Sequence, residues 1–425
     1  MQIKLAYGRK GLYVKFPEDV DLLEPKFVPG ITREAEAIRS SLQNPIGTKP
    51  LGEHVNIGDK VVIVHTDITR ATPNERILPV LLGELEKAGI ERRDITLLNG
   101  LGTHRPQSEN ELRTLLGDFV VDNYRCLQHD PHDDANLVDL GKTQHGHPVR
   151  VNRVYLEADF KILTGFIEPH FFAGFSGGPK AILPSLAGVE SVYSNHGRQM
   201  IADPMATWGV TVGNPIWEEM REVALSTEPG FLLNVTLNSN QEITGIFAGD
   251  MLAAHAQGAA FVKENAMVRV DAPYDIVVTT NSGYPLDQNL YQSVKGMSAA
   301  SQIVCQGGAI IMAAACEDGL PDHGGYAQLL QEAGSPEAIL QMIAEPGFSV
   351  QDQWQVQIQA QIQLQADVYV YSHNLSSEQI QKALFKPCDD IVNQVTLLRS
   401  HFGPKARICV IPEGPQTIPY LPSEP

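Results

Sequence analysis

Residues 165–180, GFIEPHFFAGFSGGPK, set His170 and Lys180 on either side of a small-residue turn that follows the apolar run ADFKILTGF. Phe171, Phe172 and Phe175 give the turn an apolar lining. Gly174, Gly177 and Gly178 leave room for backbone N–H groups to approach a ligand, as a phosphate cradle requires. A lysine held in such a pocket can lose its proton and become a nucleophile. Lys180 can thus be a Schiff-base lysine, a phosphate binder or an amide tether; the plain alternative is a solvated surface lysine. The expectation is an active site built around a bound or tethered cofactor.

Other reactive residues sit where apolar runs end. Asp67-Ile68-Thr69-Arg70 closes one such run. Asp67 and Thr69 suit a sugar or phosphate, and Arg70 suits a bidentate grip on a carboxylate; a helix cap with a surface arginine is the bland reading. GTHRP places His104 after two glycines, and His170 follows Glu168-Pro169. Imidazole titrates near neutrality, which fits both for proton transfer, although either can be a structural loop histidine. His196, in SNHG, can ligate a metal or cap a turn. The chain has no HExxH and no close His/Cys cluster, so a metal here would need non-protein ligands. QHDPHDD at 128–134 competes as a hard-ligand site, but Pro131 and the acidic run favour a polar turn. Tyr291 and Lys295 are four apart and share a helix face that can offer a donor and a cation to a carboxylate, with Gln292 beside them.

The elements that must position these residues alternate. DKVVIVH, DITLLNG and ADFKILTGF read as buried strands, each followed by a loop that carries Asp67 and Arg70, His104 or His170. ILPVLLGELEKAGI and SENELRTLLGDF read as helices, the second with Ser108 as N-cap. NVTLNSNQEITGIFAGD reads as a hairpin turning near Ser239-Asn240, and the segment after it as a helix. A second unit starts near Asp271, with strands in YDIVVTT, GGAIIMAAAC, ADVYVY and ARICVI and a helix in NLYQSVKGMSAASQIV. The glutamine-rich stretch 351–365 carries interspersed apolar residues and reads as helix. The fold class expected is α/β: two domains, 1–270 and 271–425, with mostly parallel sheets flanked by helices and ligands at the strands' carboxyl ends.

Composition narrows the partners. A chain of 425 residues with 43% apolar and 19% charged residues matches an ordinary globular protein. A net charge of −18 opposes nucleic acid and anionic membranes as general partners, while pocket cations can still take a small anion. The five cysteines form no CxxC pair and fit buried reduced thiols. With no apolar h-region at the N-terminus and no apolar run long enough to cross a bilayer, a cytoplasmic soluble protein is expected.

DITR, GTHRP, EPHFFAGFSGGPK, SNHG, GNP at 213–215, AGD at 248–250 and YQSVKG occur in an order, and over a length, that resembles the lactate racemase family, whose enzymes use a nickel-pincer nucleotide. The resemblance implies an active site in a cleft between two domains and a pyridinium mononucleotide carrying nickel between two sulfurs and a ring carbon. By the resemblance, Lys180 is the covalent thioamide tether, His196 the protein's nickel ligand, and His104 and His170 the general acid/base pair. Asp67, Ile68, Thr69 and Arg70, with Ser176, Gly177 and Gly178, would contact the cofactor. Arg70, Tyr291, Gln292, Lys295 and Trp354 would contact substrate. The implied reaction interconverts enantiomers of a short-chain 2-hydroxy acid (lactate first, malate or a sugar acid behind) by hydride transfer through a 2-keto acid. Cofactor-making enzymes would be the maturation partners. Two other readings stay open: a pyridoxal-phosphate enzyme using Lys180, and a non-catalytic hydroxy-acid sensor.

Overall fold

The computed structural model describes residues 1–321 and 324–421. Two six-stranded sheets carry the fold. The first runs in the order Ile243–Gly249, Phe231–Leu237, Phe160–Phe166, Val61–Thr66, Ile95–Gly100 and Arg125–Gln128. All its neighbours pair in parallel except the hairpin Phe231–Leu237 with Ile243–Gly249. The second runs in the order Lys386–Pro387, Asp367–Tyr371, Val304–Ala313, Tyr274–Thr280, Ile408–Ile411 and Asp21–Leu22, parallel throughout. The α/β class with mostly parallel sheets is therefore as the alternation predicts.

Local causes are visible in each element. Val61 to Val64 is an unbroken buried run, as a strand covered by helices on both faces must be. Helix Asn74–Lys87 buries Ile77, Leu78, Leu81, Leu82 and Leu85 at helical spacing. Helix Glu109–Leu116 starts at Ser108, whose hydroxyl accepts from the Glu111 N–H while the Glu111 carboxylate accepts from the Ser108 N–H. The glutamine-rich stretch is the helix Gln353–Gln365, and Gln353, Gln355, Gln357 and Gln359 are buried. Gln355 donates to Tyr291 O at 2.5 Å, Gln357 to Arg198 O at 3.0 Å and Gln359 to Ala383 O at 2.8 Å. Buried amides are stable there because carbonyls of neighbouring elements satisfy them.

The division at residue 270 needs one correction. Asp21–Leu22 pairs with Ile408–Ile411 and so extends the second sheet. The hairpin of Gln2–Leu5 and Leu12–Lys15 sends Ile3, Leu5 and Val14 into a core shared with Ile276, Val278, Ile311 and Val410. The first two dozen residues thus pack with the C-terminal half. Such short strands carry no sign of which sheet they will join; the partner is chosen by a contact nearly four hundred residues away. At the other end Ile418–Tyr420 pairs with Met267–Arg269, behind the helix Met251–Ala266.

Candidate active site

Three loops at the carboxyl ends of adjacent parallel strands carry the reactive side chains of the first half. Val61–Thr66 leads into Asp67 and Arg70, Ile95–Gly100 into His104, and Phe160–Phe166 into Glu168 and His170. Asp67 is almost fully buried, at 2% exposure. Its Oδ1 accepts from the Thr69 N–H at 3.1 Å and the Thr69 hydroxyl at 2.7 Å, and its Oδ2 is hydrogen-bonded to His104 Nδ1. Burial alone would push this carboxyl up, but His104 and Arg70 outweigh it and hold Asp67 well below the usual carboxylate range. An ionised Asp67 makes His104 Nδ1 the donor, which leaves Nε2 for chemistry at the loop's exposed side. The Asp67 carboxylate, expected near the cofactor, is hydrogen-bonded to His104 and Thr69.

The aromatic turn organises the second group. Phe172 is buried, with the His170 ring 4.5 Å from its centroid, the His196 ring 4.9 Å away and Lys180 Nζ 5.7 Å above its face. His170 Nδ1 accepts from the Ala173 N–H at 3.3 Å, so its neutral ring carries the proton on Nε2. Burial, reinforced by Lys180, Lys295 and Arg70, holds His170 well below the ordinary imidazole range. Burial and the repulsion of Arg70 and Lys295 bring Lys180 down to about 7, with Glu168 opposing. Lys295 is lowered to about 8 by burial and Arg70. Among the described residues, no ion pair is formed by Arg70, Lys180 or Lys295. Arg70, Lys295 and the partly protonated Lys180 depress one another, and a bound anion would relieve that repulsion.

His196 ends the helix Val189–Asn195. The neighbouring Asn195 amide donates to Glu219 Oε2 at 2.8 Å and Ile216 O at 3.2 Å, which pins that helix end. His196 is packed edge-on against Trp354, 5.4 Å away, and its Nδ1 is buried with no hydrogen-bond partner among the described residues. A buried ring nitrogen left bare costs stability unless something binds it. Trp354 comes from the glutamine-rich helix of the other half, and its indole N–H donates to Tyr291 Oη at 3.3 Å. Tyr291 and Lys295 lie together on helix Leu290–Ser301. Gln292 sits on the first turn of this helix, where its backbone N–H is capped by Asn289.

The glycine turn is closely packed. A Cβ on Gly174 would lie 2.0 Å from Val210 O, one on Gly177 2.5 Å from Asn234 Oδ1, and one on Gly178 2.6 Å from His255. The Ser176 hydroxyl donates to Phe166 O and accepts from the Glu168 N–H, both at 2.9 Å, and the Gly178 N–H goes to Asn234. Protein packs against the Cα side of these glycines, and of their N–H groups that of Gly178 is taken by Asn234. The work of the turn is to hold His170 and Lys180 on the two sides of Phe172.

The competing 128–134 segment is structural. His129 is buried between Ala187 O and the Asn152 amide, each at 3.1 Å, Asp130 and Asp133 cap turns, and Asp134 pairs with Arg150. Among the described residues no group of three His, Cys, Asp or Glu side chains is placed to hold a metal ion, and no helix is long and apolar enough to cross a membrane. A cavity of about 670 Å³ is lined from both halves, with Arg70 and Glu168 on one side and Ser282, Lys295 and Glu413 on the other. Sequence reasoning passed over Glu168 as a site residue and named Phe172 only as lining; their neighbours to His170 in the chain were the available signal.

Fold and site define a two-part α/β enzyme whose cations without ion-pair partners among the described residues, beside a cavity lined from both halves, suit a small anion. The family model for the lactate racemase N-terminal domain matches residues 7–209, and that for the C-terminal domain matches residues 270–418. A lactate racemase of Thermoanaerobacterium thermosaccharolyticum is 35% identical over 98% of both chains, and one of Lactiplantibacillus plantarum is 37% identical over 90% of both. The structure of the Thermoanaerobacterium lactate racemase apoprotein superposes with a TM-score of 0.92 at 35% identity, covering 99% of this chain and all of that one. A Thermotoga maritima protein, 20% identical, shares the fold with a TM-score of 0.68 over 93% of this chain and all of its own. The chain belongs to the lactate racemase family and is an isomerase.

Proposed function

We propose that the protein interconverts the enantiomers of a short-chain 2-hydroxy acid, lactate first, in the cleft between its two halves. The observation that supports this most directly is the grouping of His170, Lys180 and His196 around the single ring of Phe172. A depressed, unpaired lysine amine and a buried, bare imidazole nitrogen fit a nickel-pincer nucleotide tethered at Lys180 and ligated by His196. When bound, that group supplies an acceptor and donor for a hydrogen with its electron pair.

The chain's residues then have the remaining work. Arg70 and Lys295 hold the substrate carboxylate, which relieves their mutual repulsion. Taking the α-hydrogen as a proton would build a second negative charge beside that carboxylate. Taking it with its electrons gives a neutral carbonyl, provided a base removes the hydroxyl proton. His104 accepts that proton at Nε2, because Asp67 stabilises the imidazolium that forms. His170 serves the opposite face; to accept there at Nε2 its ring must first release the Ala173 N–H and carry its own proton on Nδ1. The 2-keto acid is planar, so rotation about its bond to the carboxylate carbon presents either face to the returning hydrogen. Trp354 and Phe172 wall the site and keep it dry.

The test is protein co-expressed with cofactor-making enzymes and supplied with one enantiomer of lactate deuterated at C2. Full interconversion with deuterium retained, together with a nickel- and sulfur-bearing mass adduct on the Lys180 peptide, is the expected outcome. Washout of deuterium into solvent would sink the hydride route. A borohydride-reducible aldimine would favour a pyridoxal-phosphate enzyme, and binding without turnover would favour a sensor.

A further inference from the structure

Glu168 takes no part in the proposed reaction, yet it lines the anion cavity. It lies two residues before His170 and lines the same cavity as Arg70 and Lys295. Its carboxylate makes no hydrogen bond or ion pair within 4.0 Å among the described residues, although Lys295, Arg70 and Lys180 are its principal charged neighbours. The loop that carries it is fixed without its side chain. The Glu168 N–H goes to Ser176 Oγ at 2.9 Å, and its carbonyl accepts from the Ser176 N–H at 2.9 Å. The side chain is therefore free of any structural duty that contact would reveal; burial raises its carboxyl above the usual range, Lys295, Arg70 and Lys180 oppose that rise, and its charge acts at a distance on these same cations.

We infer that Glu168 is a built-in competitor for the anion site, an internal carboxylate that offsets Arg70 and Lys295 and loosens the grip on a substrate carboxylate. This rests on the proposal that Arg70 and Lys295 hold that carboxylate. The sign follows from the missing contacts. Were Glu168 hydrogen-bonded to either cation, removing its charge would misplace the cation and weaken binding. Without such bonds, removal leaves the cations in place; it takes away the repulsion between Glu168 and the ligand, together with the support Glu168 lends to protonated Lys295 and Lys180, which a bound carboxylate replaces. A hydroxy acid must bind and leave in either configuration, so a softened grip favours release.

The experiment measures pyruvate and L-lactate binding to the full-length, cofactor-free chain by calorimetry, for wild type, Glu168→Gln, Glu168→Asp and Arg70→Gln. Expected is on the order of ten-fold tighter binding in Glu168→Gln, the size of one nearby charge in a partly screened site. Glu168→Asp, which keeps the charge, should bind as wild type does. In the loaded enzyme the Gln variant should show KM falling by a similar factor without a rise in kcat. Equal or weaker binding by Glu168→Gln, with wild type binding normally, overturns the inference. An Arg70→Gln variant that binds as wild type does would instead bring down the carboxylate assignment itself.

Discussion

His104 and Asp67 are hydrogen-bonded partners, Nδ1 to Oδ2, contributed by the loops after two neighbouring parallel strands. Among the described residues His170 has no such partner, and its Nδ1 faces a backbone N–H instead. One imidazolium is therefore stabilised by an anion and the other opposed by a donor. Asp67→Asn should lower turnover by roughly 10²–10⁴-fold, as loss of an orienting carboxylate does elsewhere. Binding of pyruvate should change little. Single-turnover rates from each enantiomer check this, and the direction that relies on His104 should suffer more. Equal rates to wild type would remove Asp67 from catalysis.

Lys180, at about 7, should be partly deprotonated at neutral pH in the cofactor-free chain. It should acylate faster than surface lysines at pH 7, with a rate that levels off near pH 8 while theirs keep rising. Peptide mass spectrometry after brief treatment with an amine-selective acylating reagent reads this directly. Labelling of Lys180 no faster than that of exposed Lys10 or Lys142 would contradict it.

Acid should destabilise the fold through buried histidines. Burial lowers His65 and His129 to about 4 from an unfolded value near 6.5. Between those values the unfolded chain binds more protons, so stability falls as pH drops through this window and the loss ends below about 4. Each contributes roughly 3 kcal/mol of that loss, and His255, lowered as well, adds to it. Urea unfolding from pH 7 to pH 4.5 should show the decline, and a flat profile would refute it.

Gly174→Ala should be severe, because its Cβ would meet Val210 O at 2.0 Å and its φ is +76°. A loss of about 3 kcal/mol or more is expected. Gly141→Ala also has a positive φ, +91°, but nothing within 4 Å of the new Cβ, so strain alone, about 1 kcal/mol, should remain. Thermal melts of the two variants separate steric contact from backbone conformation.

Much of this protein was legible along the chain. Apolar runs at strand length and helical spacing at Ile77–Leu85 are local properties, set by which side chains a covered sheet must bury. The parallel topology follows from alternation, and with it the arrival of Asp67, His104 and His170 at one sheet edge. Only the tertiary structure decided what those residues touch. That Asp67 belongs to His104, that the glycines of 174–178 yield to Val210, Asn234 and His255, and that Trp354 reaches His196 from the other half are contacts between distant segments. The same holds for Asp21–Leu22, whose sheet was chosen by strand Ile408–Ile411. Pattern reports how much surface each residue must hide, but the partner that hides it is selected by the packing of the whole chain.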